Sequence, residues 1–285
     1  LAAGMDKDGL AAAAWAHLGF GFAELGTVTG RAQPGNEKPR LYRLQASRAL
    51  VNRMGFNNRG AMAMAKRLQS LGIRRGNSAV GIPIGISVGK TKKVPLQLAT
   101  DDYLRSIRIL LPYADYFAVN ISSPNTPGLR RLQAAHELAD LLPVLIQAAG
   151  EGADTPTPIF VKLAPDLDGQ QLRETIAAIR DSGAAGIIAT NTTLSRDGVA
   201  PQDAKAASQA GGLSGAPLTS RALSVVNEVA SVSELPVIGV GGLMSPADAM
   251  RMFDAGAVLC QLYSGFVYEG IALIRGIKEL RRSTA

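Results

Sequence analysis

Cysteine is nearly missing from this chain of 285 residues. Cys260 is the only one, so neither a disulfide framework nor a cysteine-rich zinc site can be built. Histidine is almost as scarce, and His17 and His136 are too few for a multi-histidine metal centre, so no metal is expected. Aromatic residues make up 5% and do not interleave with basic ones, which argues against nucleic acid as a partner. No stretch reaches the roughly 18 to 20 consecutive apolar residues of a spanning helix. The best candidate, Leu10 to Ala23, is Ala- and Gly-rich, contains His17 and is bounded by Asp8 and Glu24. An acid as early as Asp6 speaks against a signal peptide. Internal repeats, low-complexity tracts and linkers are absent, so residues 1–285 read as one domain.

What is present is a globular composition, 47% hydrophobic and 19% charged. The chain opens on Leu1, already inside an apolar run, which leads us to expect a missing upstream segment. The net charge of +7 is unevenly spread. Eleven basic residues and one acid, Glu37, fall between Arg31 and Arg75, leaving 19 basic and 22 acidic elsewhere. Such a segment is either a solvated basic face or an attractor for anionic lipid or an acidic ligand.

Eight short apolar runs punctuate the sequence: Leu1–Met5, Phe22–Val28, Ile82–Val88, Tyr116–Ile121, Ile159–Leu163, Gly186–Thr190, Pro236–Val240 and Val258–Tyr263. Continuous apolar strands with little alternation fit a parallel sheet buried on both faces. Helical stretches lie between them. Ser245-Pro246-Ala247-Asp248 supplies an N-cap serine and a proline at the first helical position, and Gly256 follows the last turn. Thr100-Asp101-Asp102 opens another helix, and Asp168 to Ser182 forms a third, closed by Gly183. Eight strands with intervening helices predict an α/β fold, a (β/α)8 TIM barrel, with a doubly wound open sheet as the alternative. Two connections are long, about fifty residues after the second strand and about forty-five after the sixth, and connections of that length usually carry function or extra elements.

In barrels the chemistry gathers where the strands end. Those ends carry Gly4 with Asp6-Lys7, Thr27, Ser87 with Lys90, Asn120 to Asn125, Lys162, Thr190-Asn191-Thr192, Gly241-Gly242 and Tyr263-Ser264-Gly265. Lysines and three asparagines on one rim are costly to bury unless they have partners. Amide groups suit a flat, amide-bearing heterocycle, and a lysine suits a carboxylate or electron-rich carbonyl. Glycines after the seventh strand, the helix start near Ser245 and the turn after the eighth mark a phosphate position. No Ser/His/Asp triad can be assembled, and Cys260, set among Leu259 and Leu262, reads as core. His17 reads as part of an Ala-rich helix and His136 as part of a charged one. Ser122 and Ser123 lie in a loop stiffened by Pro124 and Pro127, which can place a weak base over a substrate. From the residues alone this is a barrel enzyme with a phosphorylated ligand or cofactor, its reaction open.

The motifs themselves resemble the dihydroorotate dehydrogenase family along essentially the whole chain. They are Leu1-Ala2-Ala3-Gly4-Met5-Asp6-Lys7-Asp8-Gly9, Val51 to Asn58, and Asn120-Ile121-Ser122-Ser123-Pro124-Asn125 running on to Arg130. Ala189 to Thr193, Gly211 to Gly215, Gly239 to Gly242 and Tyr263 to Phe266 complete the set, all in the family's order. The family divides into a cytosolic class with a cysteine base and a membrane-associated, quinone-reducing class with a serine base, and the base position here is Ser123. The resemblance therefore implies FMN-dependent oxidation of (S)-dihydroorotate to orotate with a quinone acceptor, in pyrimidine synthesis. It implies that Ser123 takes a proton from the ring carbon beside the carbonyl. Lys7 and Asn52, Arg53, Met54, Gly55 and Phe56 would hold the substrate, and Asn120, Asn125, Asn191 and Thr192 would bond its ring amides. FMN would lie on Ala3, Gly4, Thr27, Ser87, Asn120, Lys162, Thr190, Gly215, Gly242, Tyr263 and Ser264, with Lys162 stabilising negative charge on the reduced ring.

Ser87 stands where the family commonly has asparagine, and Gly30 and Ala32 where it commonly has prolines. In this class a helical extension before the barrel forms the quinone tunnel and the membrane contact. The resemblance therefore implies peripheral attachment to the cytoplasmic face of a bacterial inner membrane through a segment absent from this sequence, with a monomer favoured. Competing expectations are the same oxidation with fumarate or NAD as acceptor, and a flavin-binding scaffold without activity.

Overall fold

The computed structural model of the chain describes residues 1–76, 79–152 and 154–284. Strand β1 (Ala23–Val28) is followed by a hairpin, β2 (Leu41–Leu44) and β3 (Ala49–Asn52), and by helix α1 (Ala61–Ser70). Then come β4 (Ile84–Val88), α2 (Ala99–Leu110), β5 (Tyr116–Asn120), α3 (Ala135–Ala149), β6 (Ile159–Leu163) and α4 (Gly169–Asp181). The second half holds β7 (Gly186–Ala189), α5 (Ala204–Ala207), β8 (Gly212–Gly215), α6 (Thr219–Val232) and β9 (Val237–Val240). It ends with α7 (Pro246–Asp254), β10 (Ala257–Gln261), α8 (Ser264–Glu269) and α9 (Ile271–Thr284).

Seven strands pair in parallel in the order β1-β4-β5-β6-β7-β9-β10, the curled sheet of an α/β barrel. The eighth expected strand, Leu1–Met5, does not form. Leu1 and Ala2 nevertheless fill its place: Glu24 N–H donates to the Leu1 carbonyl (3.0 Å) and Ala2 N–H to that of Leu262 (3.1 Å). Contact with β1 runs on, Gly4 N–H donating to the Gly26 carbonyl (2.7 Å) and Gly26 N–H to that of Asp6 (3.0 Å), but Gly4, at φ +103°, departs from extended backbone and no regular strand forms.

Period-two alternation explains the two interiors. Along β5, Phe117 and Val119 pack outward among the helices, while Tyr116 and Ala118 join Ile188, Ile238 and Val240 in a separate cluster inside the sheet's curl. Tyr116 meets Phe22 and Phe160 edge-on, at ring separations of 6.4 and 5.5 Å. Helices follow the 3.6 period: α2 buries Ala99, Tyr103, Ser106, Ile107 and Leu110. Asp168 closes a reciprocal capping box with Gln171, and Ser245 accepts the Asp248 amide at 3.2 Å, as the sequence suggested.

The expected helix around His17 is instead a succession of turns over residues 10–19. Asp6, buried, takes the amides of Leu10 and Ala11 (2.7 and 3.0 Å) and the Trp15 indole (3.0 Å). Its carboxylate competes with the i to i−4 pattern, and Gly19 at φ +95° ends the segment. The long connections hold a second sheet, β2-β3-β8, antiparallel throughout, with Asn52 opposite Gly212 and Ala49 opposite Gly215. Several charges of the basic segment are consumed as staples. Arg40 donates to the carbonyls of Pro34 and Asn36, Arg67 to that of Asp8 and Arg75 to that of Thr155, and Arg48 pairs with Glu269.

Candidate active site

Every expected site residue except Arg53 and Ser87 lines one cleft of about 930 Å³ at the C-terminal ends of the barrel strands. Arg53 turns away: its guanidinium lies 5.0 Å over the Tyr42 ring and donates to Gln209 (3.0 Å). Only its carbonyl serves the site region, accepting from Asn36 (3.0 Å). Ser87 sits one layer behind the wall, fully buried, its hydroxyl 2.8 Å from that of Thr27. The shorter side chain at this position reaches Thr27 and goes no further.

The asparagines form a chain of amides around one wall. Asn120 donates to Thr27 (3.0 Å), and Asn191 donates to Asn120 (3.3 Å) and to the Ser122 hydroxyl (3.0 Å). Asn125 donates to Asn52 (3.2 Å). Each amide is oriented by its neighbour, so donors and acceptors are preset before a ligand arrives. The Phe56 backbone adopts φ +52°, rare for a bulky residue. Its carbonyl is gripped by Gln33 (3.0 Å) and Asn58 (2.7 Å), which hold that conformation.

Ser123, 5% exposed, accepts the amide N–H of Asn125 at 3.3 Å, while its own hydroxyl proton has no acceptor among the described residues. Arg130 fixes the loop that bears it. Its guanidinium donates to the carbonyls of Ser122 (3.0 Å) and Thr192 (3.1 Å) and pairs with Asp166 at 2.7 Å. Asp166 in turn accepts the Thr193 hydroxyl and the Leu194 amide.

Two cations face the cleft. Lys7, half-buried, has no hydrogen bond or ion pair among the described residues. Desolvation, with Arg40 nearby and Asp8 opposing, pulls its ammonium down to about 8. Lys162 stands 3.6 Å from Glu24, a fully buried carboxylate on β1. Glu24 was not singled out from the sequence because a charged residue inside AELGTV leaves no periodic signal.

At the ends of β9 and β10, the amides of Gly242, Leu243, Ser264 and Gly265 line the cleft and donate to no acceptor among the described residues. Four N–H groups left without acceptors in residues of the cleft lining suit an anion. A Cβ at Gly242, at φ +71°, would come within 2.4 Å of the Thr219 amide nitrogen, so only glycine lets the backbone pass there. Ala2, Ser214, Leu218, Val240, Leu243 and Gln261 also line the cleft without having been singled out. All but Gln261 have small or apolar side chains that carry no chemical signal in a sequence, and Gln261 is a lone amide inside an apolar strand.

Cys260 is half-buried in β10, and burial pushes its thiol up to about 12, which keeps it out of nucleophilic chemistry. His17 and His136 are both exposed and lie outside the cleft lining. No group of three or more His, Cys, Asp or Glu residues among those described is placed to hold a metal.

Comparison with known proteins bears on the same cleft. The family model described as "Dihydroorotate dehydrogenase" matches residues 1–282. "Dihydroorotate dehydrogenase (quinone)" of Chloroflexus aurantiacus is 53% identical over 97% of this chain and 76% of that protein. The protein of the same description from Salinispora arenicola is 54% identical over 99% of this chain and 80% of its own. Among solved structures, the Eimeria tenella DHODH crystallised with ferulenol superposes with a TM-score of 0.90 at 31% identity, covering 98% of this chain and 79% of that one. A (β/α) barrel, a cleft walled by amides and two lysines, and a family match from one end of the chain to the other agree: the chain belongs to the dihydroorotate dehydrogenase family.

Proposed function

We propose that the chain oxidises dihydroorotate to orotate with a quinone as electron acceptor, within pyrimidine biosynthesis, using FMN as its flavin and Ser123 as its base. The observation that carries the assignment is the co-location of Ser123, Lys7 and the asparagine chain in one cleft with four free backbone amides. Curated relatives at about half identity carry the quinone-dependent description.

The residues fit FMN. The free amides of Gly242, Leu243, Ser264 and Gly265 would hold its phosphate, while Ala3, Gly4, Thr27, Asn120, Lys162, Thr190, Gly215 and Tyr263 would surround the rest. When bound, FMN supplies a two-electron acceptor for the hydride and passes the electrons on to the quinone.

The chain's own residues do the remaining work. The Lys7 ammonium attracts the substrate carboxylate, helped by the Asn52 to Phe56 backbone. Asn120, Asn125, Asn191 and Thr192 bond the ring amides, and this fixes which ring carbon faces Ser123. Ser123 Oγ takes the proton from the carbon beside the carbonyl. A serine is a poor base, so its hydroxyl must lose its own proton through the cleft as it gains the new one. The Asn125 amide at 3.3 Å is placed to steady charge developing on that oxygen.

A quinone that lives in lipid supports peripheral contact with the cytoplasmic face of a membrane. No helix among the described residues is long and apolar enough to cross one. Fumarate or NAD as acceptor is disfavoured by serine at position 123 and by a Cys260 set in β10. Anaerobically reduced protein mixed with each acceptor decides the matter. The flavin should reoxidise rapidly with a short-tailed quinone and stay reduced with fumarate or NAD. Fast reoxidation by fumarate or NAD, with none by quinone, would reverse the assignment.

A further inference from the structure

Beneath the cleft lies a charged group that the reaction above does not use. Glu24 points into the curl of the sheet from β1 and is fully buried. One carboxylate oxygen accepts the Gln261 side-chain amide of β10 at 2.7 Å and the Tyr116 hydroxyl of β5 at 3.2 Å. The other oxygen has no hydrogen-bond partner and stands 3.6 Å from the Lys162 ammonium of β6. Four strands thus spend interior positions on one polar cluster, in a region whose neighbours are Ile188, Ile238 and Val240.

Packing does not call for this arrangement. A buried ion pair is often no more stabilising than an apolar replacement, and a carboxylate oxygen left without a donor is costlier still. The cluster is also polarised in space. Lys162 and Gln261 line the cleft, and Glu24 lies behind them. Seen from the cleft, the cation comes first and its counter-charge second.

We propose that Glu24 is the fixed counter-charge of Lys162, a positioning residue that holds the ammonium at the cleft floor and restrains how strongly it favours the reduced flavin. The proposal rests on the reading that this cleft holds FMN. Taking up two electrons and one proton leaves the flavin ring one unit more negative. A bare buried cation beside the ring would stabilise that added charge strongly, because little water screens it. A carboxylate 3.6 Å behind the cation offsets part of its field. The flavin potential is thereby held low enough for electrons to move on readily to the acceptor. Gln261 and Tyr116 hold the carboxylate in place by donating to its far oxygen.

The test is the two-electron reduction potential of the bound flavin in the purified holoprotein, measured by equilibration with reference dyes. Glu24→Gln is nearly isosteric, removes the charge and can still bond Gln261 and Tyr116. It should raise the potential, shifting the balance toward reduced flavin by at least about tenfold, or about 30 mV for a two-electron couple. Glu24→Asp, which keeps the charge but sets it back, should fall between the two. Tyr116→Phe strips a donor from the carboxylate without removing its charge, so it should move the potential the opposite way. Should Glu24→Gln fail to fold, Tyr116→Phe carries the test alone, and a lowered potential is the supporting result. A purely structural role would reduce thermal stability or flavin content and leave the potential of the retained flavin where it was. An unchanged or lowered potential in Glu24→Gln, or an unchanged or raised one in Tyr116→Phe, overturns the proposal. Wild-type protein that holds no flavin would instead overturn the FMN reading, so the two failures are distinguishable.

Discussion

On the proposed function, Lys7 is the residue through which pH should reach substrate binding. Its ammonium titrates at about 8, below the ordinary 10.5, chiefly because it is taken out of water without a partner. The dihydroorotate carboxylate is ionised throughout the neutral range, so binding requires Lys7 in its charged form. Below pH 8 the lysine is charged and KM for dihydroorotate should be level. Above pH 8 KM should climb by about tenfold per unit as the proton leaves. In Lys7→Met the climb should vanish and KM should sit about 10- to 100-fold higher, the worth of one hydrogen bond to a charged group. A KM level through pH 9.5 in the wild type would contradict this account. The same shift bears on folding. The folded chain binds the Lys7 proton less tightly than the unfolded chain does, so stability from this group rises as pH goes from 8 toward 10.5.

At the scale of elements, the site depends on loops held against one another. Ser123 and Asn125 follow β5, Asn191 and Thr192 follow β7, and Asp166 follows β6. Arg130 and Asp166 tie these three together through two carbonyls and an ion pair of 2.7 Å. Both partners are only partly exposed, at 22% and 24% of the side chain, so solvent screens the pair incompletely. Arg130→Ala should lower kcat by about 10- to 100-fold, the scale of a small misplacement of a base, while flavin content holds. Arg130→Lys, which cannot make the forked contact, should recover only part of the loss. Unchanged kcat in Arg130→Ala would show that the loops hold their places without the tie.

The same scale shows what could be read from the residues. The seven strands were legible because each is a short, mainly apolar run with little alternation, and helix ends were legible where Asp168 and Ser245 cap them. The β2-β3-β8 sheet was not, because its strands are four residues long and Ala49 pairs with Gly215, far along the chain. Leu1–Met5 looked like a strand by composition alone. Gly4 at φ +103° breaks its extended backbone, so it bonds to β1 without forming a regular strand. Lys7, Ser123 and the asparagines announced themselves as polar groups at strand ends. Glu24 could not, since the partners that give it meaning, Tyr116, Lys162 and Gln261, come from three other strands. Arg53 stood within a site motif, yet its side chain leaves to stack on Tyr42, a choice set by the hairpin.

For the molecule as a whole, the barrel separates two tasks. Apolar faces between sheet and helices supply most of the burial, with residues such as Leu25, Ile86, Phe117 and Ile107 wholly enclosed. The strand ends and the loops after them carry the chemistry, and Leu1 and Ala2 close the ring beside the residues that approach the flavin cleft. A net charge of +7 adds a favourable field for an anionic substrate. The central claim is that this cleft joins a flavin to a serine base acting on dihydroorotate. Its most direct test is anaerobic mixing of the purified holoprotein with dihydroorotate while the flavin absorbance is followed. Wild-type protein should bleach within a single turnover. Ser123→Ala should retain its flavin and bleach about 10²- to 10⁴-fold more slowly, the usual contribution of a positioned base. Bleaching at the wild-type rate in Ser123→Ala, or a bound flavin that dihydroorotate leaves oxidised in the wild type, would contradict the account.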